Sequence, residues 1–210
     1  RGLLGAYPRL ALAPVELRRD EAVIALPIAH IMGFAALLSF ACAGVPVLAF
    51  ERFRPTEVLD AIEARRSSVF VGVPAMYQLL LEAGAEARDL SSVRLWLSGA
   101  DAMPPEVARR FQRLGAFADV PLLGRVGEAL FAEGYGMAEL SGAVIGRVDL
   151  PGVGRLFGDA LGAALPGYRL RVVTESGREA RTGETGELQV RGPGVSPGYW
   201  GDAGRDHELH

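Results

Sequence analysis

Apolar residues fall in short runs separated by amphipathic stretches. Val23 to Leu26 is one such run, closed by Pro27. Val45 to Phe50, Val69 to Val71 and Val93 to Leu97 follow, each short enough for a buried strand. Between them the spacing turns helical. Pro55 to Arg66 carries Val58, Leu59 and Ile62, Pro74 to Ala83 carries Met76, Tyr77, Leu79 and Leu80, and Pro104 to Leu114 carries Val107, Phe111 and Leu114. Proline suits a first helical turn, where its missing N–H costs nothing. Ile31 to Phe50 holds no charge and is long enough to raise a membrane span. Gly33, Gly44 and Pro46 interrupt it, so a buried helix that stops at Gly44 and feeds a strand is the better reading. Arg1 to Arg19, broken by Pro8 and Pro14, reads as a helix followed by an irregular link.

Strands alternating with helices imply a mostly parallel sheet flanked by helices, with ligands gathering at the carboxyl ends of the strands. Past Leu150 the rhythm changes. Tyr168 to Val173 and Glu187 to Arg191 alternate between glycine-rich turns, as strands of a β-rich module beginning near Gly162 do. The expected division is an α/β unit over 1–150 and part of a smaller β-rich subdomain over 151–210.

Of the 210 residues, 50% are hydrophobic and 22% charged, a globular composition with a net charge of −3 and no basic field for nucleic acid. All 22 basic residues are arginine, so these residues supply no Schiff-base or phosphate-loop lysine. One cysteine, Cys42, makes no internal disulfide and is expected to pack as a small hydrophobe; a reducing cytoplasm is the expected setting.

Glu133-Gly134-Tyr135-Gly136-Met137-Ala138-Glu139 gathers the candidate chemistry. Glycines allow a sharp turn or close approach to a ligand, Tyr135 offers a flat face to a base, and Glu139 is a hard oxygen donor for Mg²⁺. The same residues also describe a tight turn with a core tyrosine. His30 reads two ways as well, as a pocket or proton-transfer residue or as a helix-start histidine packed on the sheet. Ser98 to Pro104 is a small-residue loop whose backbone groups suit a ligand, or a βα turn with Asp101 capping the next helix. His207 and His210 share a helical spacing but have no third metal ligand beside them. No GxGxxG unit or GxxxxGK[ST] loop is present.

Leu26-Pro27-Ile28-Ala29-His30 with Gly33, Gly72 to Tyr77, Ser98 to Pro104, Gly134 to Glu139, Gly162 to Gly167, and Gly186-Glu187-Leu188 through Gly198-Tyr199-Trp200 occur in an order that resembles the acyl-CoA synthetase branch of the adenylate-forming, AMP-binding superfamily. That resemblance implies ATP-dependent adenylation of a small-molecule carboxylic acid with Mg²⁺, then transfer of the acyl group to CoA. It places Tyr135, with Gly134, Gly136 and Met137, around adenine, and the Gly99, Ala100, Asp101, Ala102 loop along adenine and the acyl group. Glu139 falls at the metal, Ala138 beside a phosphate, and His30, Phe34, Val73 and Gly134 around the acyl group. Gly134, being neither bulky nor basic, implies a long pocket for a fatty or other uncharged acid. The family usually carries threonine or serine where this chain has Ala138, and some acyl-AMP ligases that load an acyl carrier protein have alanine there. The resemblance also implies segments outside these residues: a phosphate loop before Arg1, and a ribose-binding aspartate, a hinge and a lysine-bearing domain after His210. The piece alone is therefore expected to be inactive, and a non-catalytic nucleotide- or acyl-binding module is the alternative from another class. Leu122 to Leu130, with Arg125 and Glu128, lengthens the approach to Gly134 without an assigned role.

Overall fold

Five strands run parallel because a helix between each and the next returns the chain to the end of the sheet where the strands start. The structure, a computed structural model, describes residues 20–120, 124–152, 154–155, 158, 160–201 and 204. The elements read from Arg1–Arg19, His207 and His210, and residues 122–123 of the Leu122–Leu130 stretch, lie outside the described residues.

Strand β1 (Ala22–Ile24) leads through Pro27–His30 into helix α1 (Ile31–Cys42) and then β2 (Val47–Ala49). Next come α2 (Pro55–Arg65), β3 (Val69–Gly72), α3 (Pro74–Glu82), β4 (Leu95–Gly99) and α4 (Pro105–Leu114). The expected prolines open α2 and α3, and Pro105 opens α4 with Pro104 as its cap. Asp101 does not cap α4; its Oδ1 accepts from the Ala102 N–H at 2.7 Å. Cys42 is exposed at the end of α1 instead of packed. No described helix is long and apolar enough to cross a membrane.

A small antiparallel pair, β5 (Ala118–Val120) with β6 (Gly124–Val126), reaches into the Leu122 to Leu130 stretch through β6. Arg125 ties it to Asp89 at 2.6 Å. Then β7 (Leu130–Met137) and β8 (Gly142–Leu150) form a long antiparallel pair, to which β9 (Gly154–Arg155) and β10 (Ala163–Ala164) add. The sheet order is β10, β8, β7, β4, β3, β1, β2, with β9 beside β8. Pairings from β2 to β7 are parallel. The ribbon β11 (Arg169–Val173) and β12 (Glu187–Arg191) is a separate antiparallel pair. Where a turn was one reading of Gly134 to Met137, the chain is extended strand, with a register shift between Tyr135 and Gly136.

The main core lies between the sheet and α3 and α4. Phe70, Tyr77, Trp96, Phe111 and Phe131 are fully buried and meet mostly edge to face, with ring centroids 4.9 to 6.2 Å apart. Such pairs add about 1 kcal/mol each beyond area burial. The Tyr77 hydroxyl donates to the Leu97 carbonyl at 2.7 Å. Burial, and then the Glu133 charge, hold that hydroxyl well above its ordinary pKa, so it stays a neutral donor.

Candidate functional site

Strand parity sets the site. Phe70, Trp96 and Phe131 face the aromatic core, so Val71 and Leu97 face α1 on the other side of the sheet. On the α1 side a hollow of about 220 Å³ opens between the helix and the strand ends. Ile31, Met32, Ala35, Ala36 and Ser39 form its helical wall, one face at helical spacing. Val71, Leu97, Ser98, Gly99, Ala100, Gly134, Gly136, Gly142 and Ala143 form the sheet wall, and His30 stands at the mouth. His30 caps α1: its Nδ1 accepts from the Met32 N–H at 3.3 Å, which puts the ring proton on Nε2. The helix sits this close because Gly33 lacks a side chain; a Cβ there would lie 2.3 Å from the Pro27 carbonyl oxygen.

A second hollow, about 460 Å³, is lined by Ala100, Asp101, Ala102, Glu133, Gly134, Tyr135, Gly136, Arg147 and Leu161. It shares Ala100, Gly134 and Gly136 with the first. Glu133 and Tyr135 have the parity of Phe131, so the two hollows lie against opposite faces of the sheet and meet where those faces carry no bulky side chain. Ala100 adopts φ 68°, a left-handed conformation a non-glycine residue reaches at a cost of about 1 kcal/mol. Arg147 Nε donates to Glu133 at 3.0 Å and its Nη1 donates to the Ala160 carbonyl at 3.1 Å. The Glu133 and Arg147 side chains are only 12% and 11% exposed, so this ion pair forms a nearly dry wall of the hollow.

Tyr135 is half-buried. One side packs toward Leu140, Val144 and Ile145, and it also fronts a third hollow of about 490 Å³ with Met137, Glu139, Arg171 and Arg191. Glu139 lies in a short turn over Ala138–Leu140, and its Oε1 accepts from the Tyr199 hydroxyl at 2.9 Å. Its backbone oxygen accepts from the Ser196 N–H at 2.7 Å, which fixes the turn against the 192–199 segment.

The structure thus brings together His30, Gly99, Ala100, Asp101, Ala102, Gly134, Tyr135 and Gly136, while Met137 and Glu139 lie one hollow along, beyond Tyr135. Ala138 is exposed at the start of its turn. Phe34 and Val73 are not among the lining residues. Phe34 is 44% exposed on another face of α1, and Val73 caps α3 and packs on the main core. Sequence reasoning named Glu133 without a role and missed Arg147 and Leu161, and the Ile31, Ala35, Ser39 face of α1. The alternation of Ala143 to Leu150 and the 31, 35, 39 spacing were the available signals.

Among solved structures the fold is similar to that of the o-succinylbenzoate coenzyme A synthetase of Bacillus subtilis in complex with ATP and magnesium ion. The TM-score is 0.75 at 23% identity, over 99% of this chain and 40% of that one. By sequence the chain is 33% identical over 199 residues to a feruloyl-CoA synthase of an Amycolatopsis species, covering 90% of this chain and 36% of the relative. It is 29% identical over 182 residues to a long-chain-fatty-acid–CoA ligase of Bacillus subtilis, covering 83% and 29%. The chain therefore spans about a third of the length of these curated relatives. The pattern of the AMP-binding enzyme family matches residues 6–200, and with strand ends, glycine rim and paired hollows arranged as described, the chain belongs to that family.

Proposed function

We propose that this chain carries the acyl and nucleotide sites of an acid–thiol ligase that makes acyl-CoA. The observation that carries the reading is the glycine rim: an uncharged hollow and a polar one, on opposite sheet faces, meet at Ala100, Gly134 and Gly136. A carboxylate held in the first would meet a nucleotide held in the second at that rim. In the first step a carboxylate oxygen attacks the α-phosphorus of ATP, the bond to the bridging oxygen breaks, and pyrophosphate leaves. In the second the sulfur of CoA attacks the acyl carbon, the acyl–phosphate bond breaks, and AMP leaves. Positioning of this kind supplies much of the rate enhancement.

Tyr135 and the Gly99 to Ala102 loop would hold the base, and the first hollow the acyl group, with His30 at its mouth. Among the described residues that hollow has no ionisable lining side chain besides His30, which favours an uncharged acyl group. Mg²⁺ binds through one or two carboxylates plus substrate phosphates, and Glu139 fits that donor set beside Tyr135. Bound there, the ion would neutralise charge on the phosphates.

Carboxylate-dependent exchange of labelled pyrophosphate into ATP by the full-length protein tests the first step. Exchange without added acid would sink the ligase reading, and no exchange with any acid would sink it and leave a binding module. Ala138 favours a second acceptor, the phosphopantetheine of an acyl carrier protein. Thioester formed on free CoA supports the main reading; thioester formed only on the carrier supports the second.

A further inference from the structure

We infer that the hollow between α1 and the sheet selects an aryl acid whose ring bears a hydrogen-bond donor far from its carboxylate, and that Ser39 accepts that bond. The inference rests on reading this hollow as the acyl site.

Size is the first argument. An apolar cavity of about 150 Å³ holds one benzene. At about 220 Å³ the hollow has room for one ring and a short connector, and little for a long alkyl chain. Shape is the second. Ala35 and Ala36 on the helix face Gly134, Gly136 and Ala143 on the sheet, so both walls are shallow and suit a planar group. Length is the third. α1 starts at the rim and runs back toward the starting ends of the strands, and the eight steps from Ile31 to Ser39 span about 12 Å at 1.5 Å each. A phenylpropenoate with its carboxylate at the rim would put its para position near Ser39.

The polarity of Ser39 completes the case. Its hydroxyl donates to the Ala35 carbonyl, so the only capacity left on Oγ is to accept. A phenol or aniline N–H satisfies that acceptor, whereas a second carboxylate or a ring halogen does not. Back-bonding to residue i−4 is also common for serine within a helix. A serine serving only that purpose would be indifferent to the ligand, and this is what the experiment separates.

The measurement is ligand-observed NMR relaxation with the purified chain, comparing cinnamate, 4-hydroxycinnamate, 4-carboxycinnamate and dodecanoate. The expected result is about tenfold tighter binding of 4-hydroxycinnamate than of cinnamate, weaker binding of the other two, and loss of the preference between the two cinnamates in Ser39→Ala. Alanine suits a helix interior, so that variant should fold. Ser39→Thr should keep the preference. Equal affinity for the two cinnamates, an unaltered preference in Ser39→Ala, or tightest binding of dodecanoate would overturn the inference and leave the ligase reading standing. Binding of none of the acids would overturn the acyl reading of the hollow itself.

Discussion

A methyl group at Gly136 would lie 1.9 Å from the Gly142 carbonyl oxygen, whereas one at Gly134 would lie 3.3 Å from the Ala143 Cβ. The first contact is with backbone and cannot relax without moving β8; the second needs only a small shift. Gly136→Ala should therefore cost about 2–3 kcal/mol, the usual penalty of overpacking, and Gly134→Ala less than about 1 kcal/mol. Urea unfolding midpoints check both. Gly134→Ala should still weaken acid binding, because its methyl enters the hollow. Reading the sequence, both glycines suggest close approach to a ligand. For Gly136 the close neighbour is another strand, which spacing alone does not show. His30 starts α1 and caps it, but it is exposed at the mouth of a hollow and not packed on the sheet. Phe34 lies outside because the lining face of α1 is set by residues 31, 32, 35, 36 and 39, and position 34 falls off that face.

Strand β7 shows why an element can be hidden. Two glycines and a glutamate argue against a central strand by propensity, but pairing with β4 and β8 overrides propensity. Glu133 is tolerated there because Arg147 stands directly opposite it in register on β8. Arg147→Met should cost about 3–5 kcal/mol by stranding a nearly buried charge, and adding Glu133→Leu should recover most of the loss. A double-mutant cycle in urea reads the coupling, and additive costs would contradict it. At the opposite edge, Glu21 before β1 bonds Arg65 at the end of α2 and Ser67 before β3. The Arg65 hydrogen bonds, opposed by burial and aided by Ser67 and the Arg65 charge, hold the Glu21 carboxyl below its ordinary value. The folded state therefore binds fewer protons than the unfolded one near that value. The clamp's contribution is complete above about pH 4.3 and fades as the pH falls through the lowered folded value. Glu21→Gln should lower stability at pH 7 by about 1 kcal/mol and flatten the acid limb of a plot of urea midpoint against pH.

For the molecule as a whole, the helix-and-strand beat up to α4 was legible because each buried strand and each amphipathic helix carries its own period. Proline marked two of the helix starts at the expected residues, Pro55 and Pro74. The antiparallel turn of the sheet at β8, and the joining of β10 to it, were not legible, since they depend on contacts between residues distant in sequence. The same limit applied to the site. Motif residues could be named singly, but their division between two faces follows only from parity and pairing. That division makes a prediction no single motif makes. Ala102 is exposed and lines only the second of the two paired hollows, while Ala36 lines only the first. Ala102→Glu puts bulk and negative charge where a nucleotide would bind, and should weaken AMP binding by about tenfold, or about 1.4 kcal/mol, with acid affinity unchanged. Ala36→Phe fills the other side, and should abolish acid binding while AMP affinity holds. Residues more than about 7–10 Å apart without shared partners contribute additively, so the double variant should lose both ligands by the sum of the single effects. Calorimetric titration of each variant with AMP and with the acid measures all four terms. Loss of both ligands in either single variant would mean one continuous pocket, and the sheet would then not divide the acid from the nucleotide.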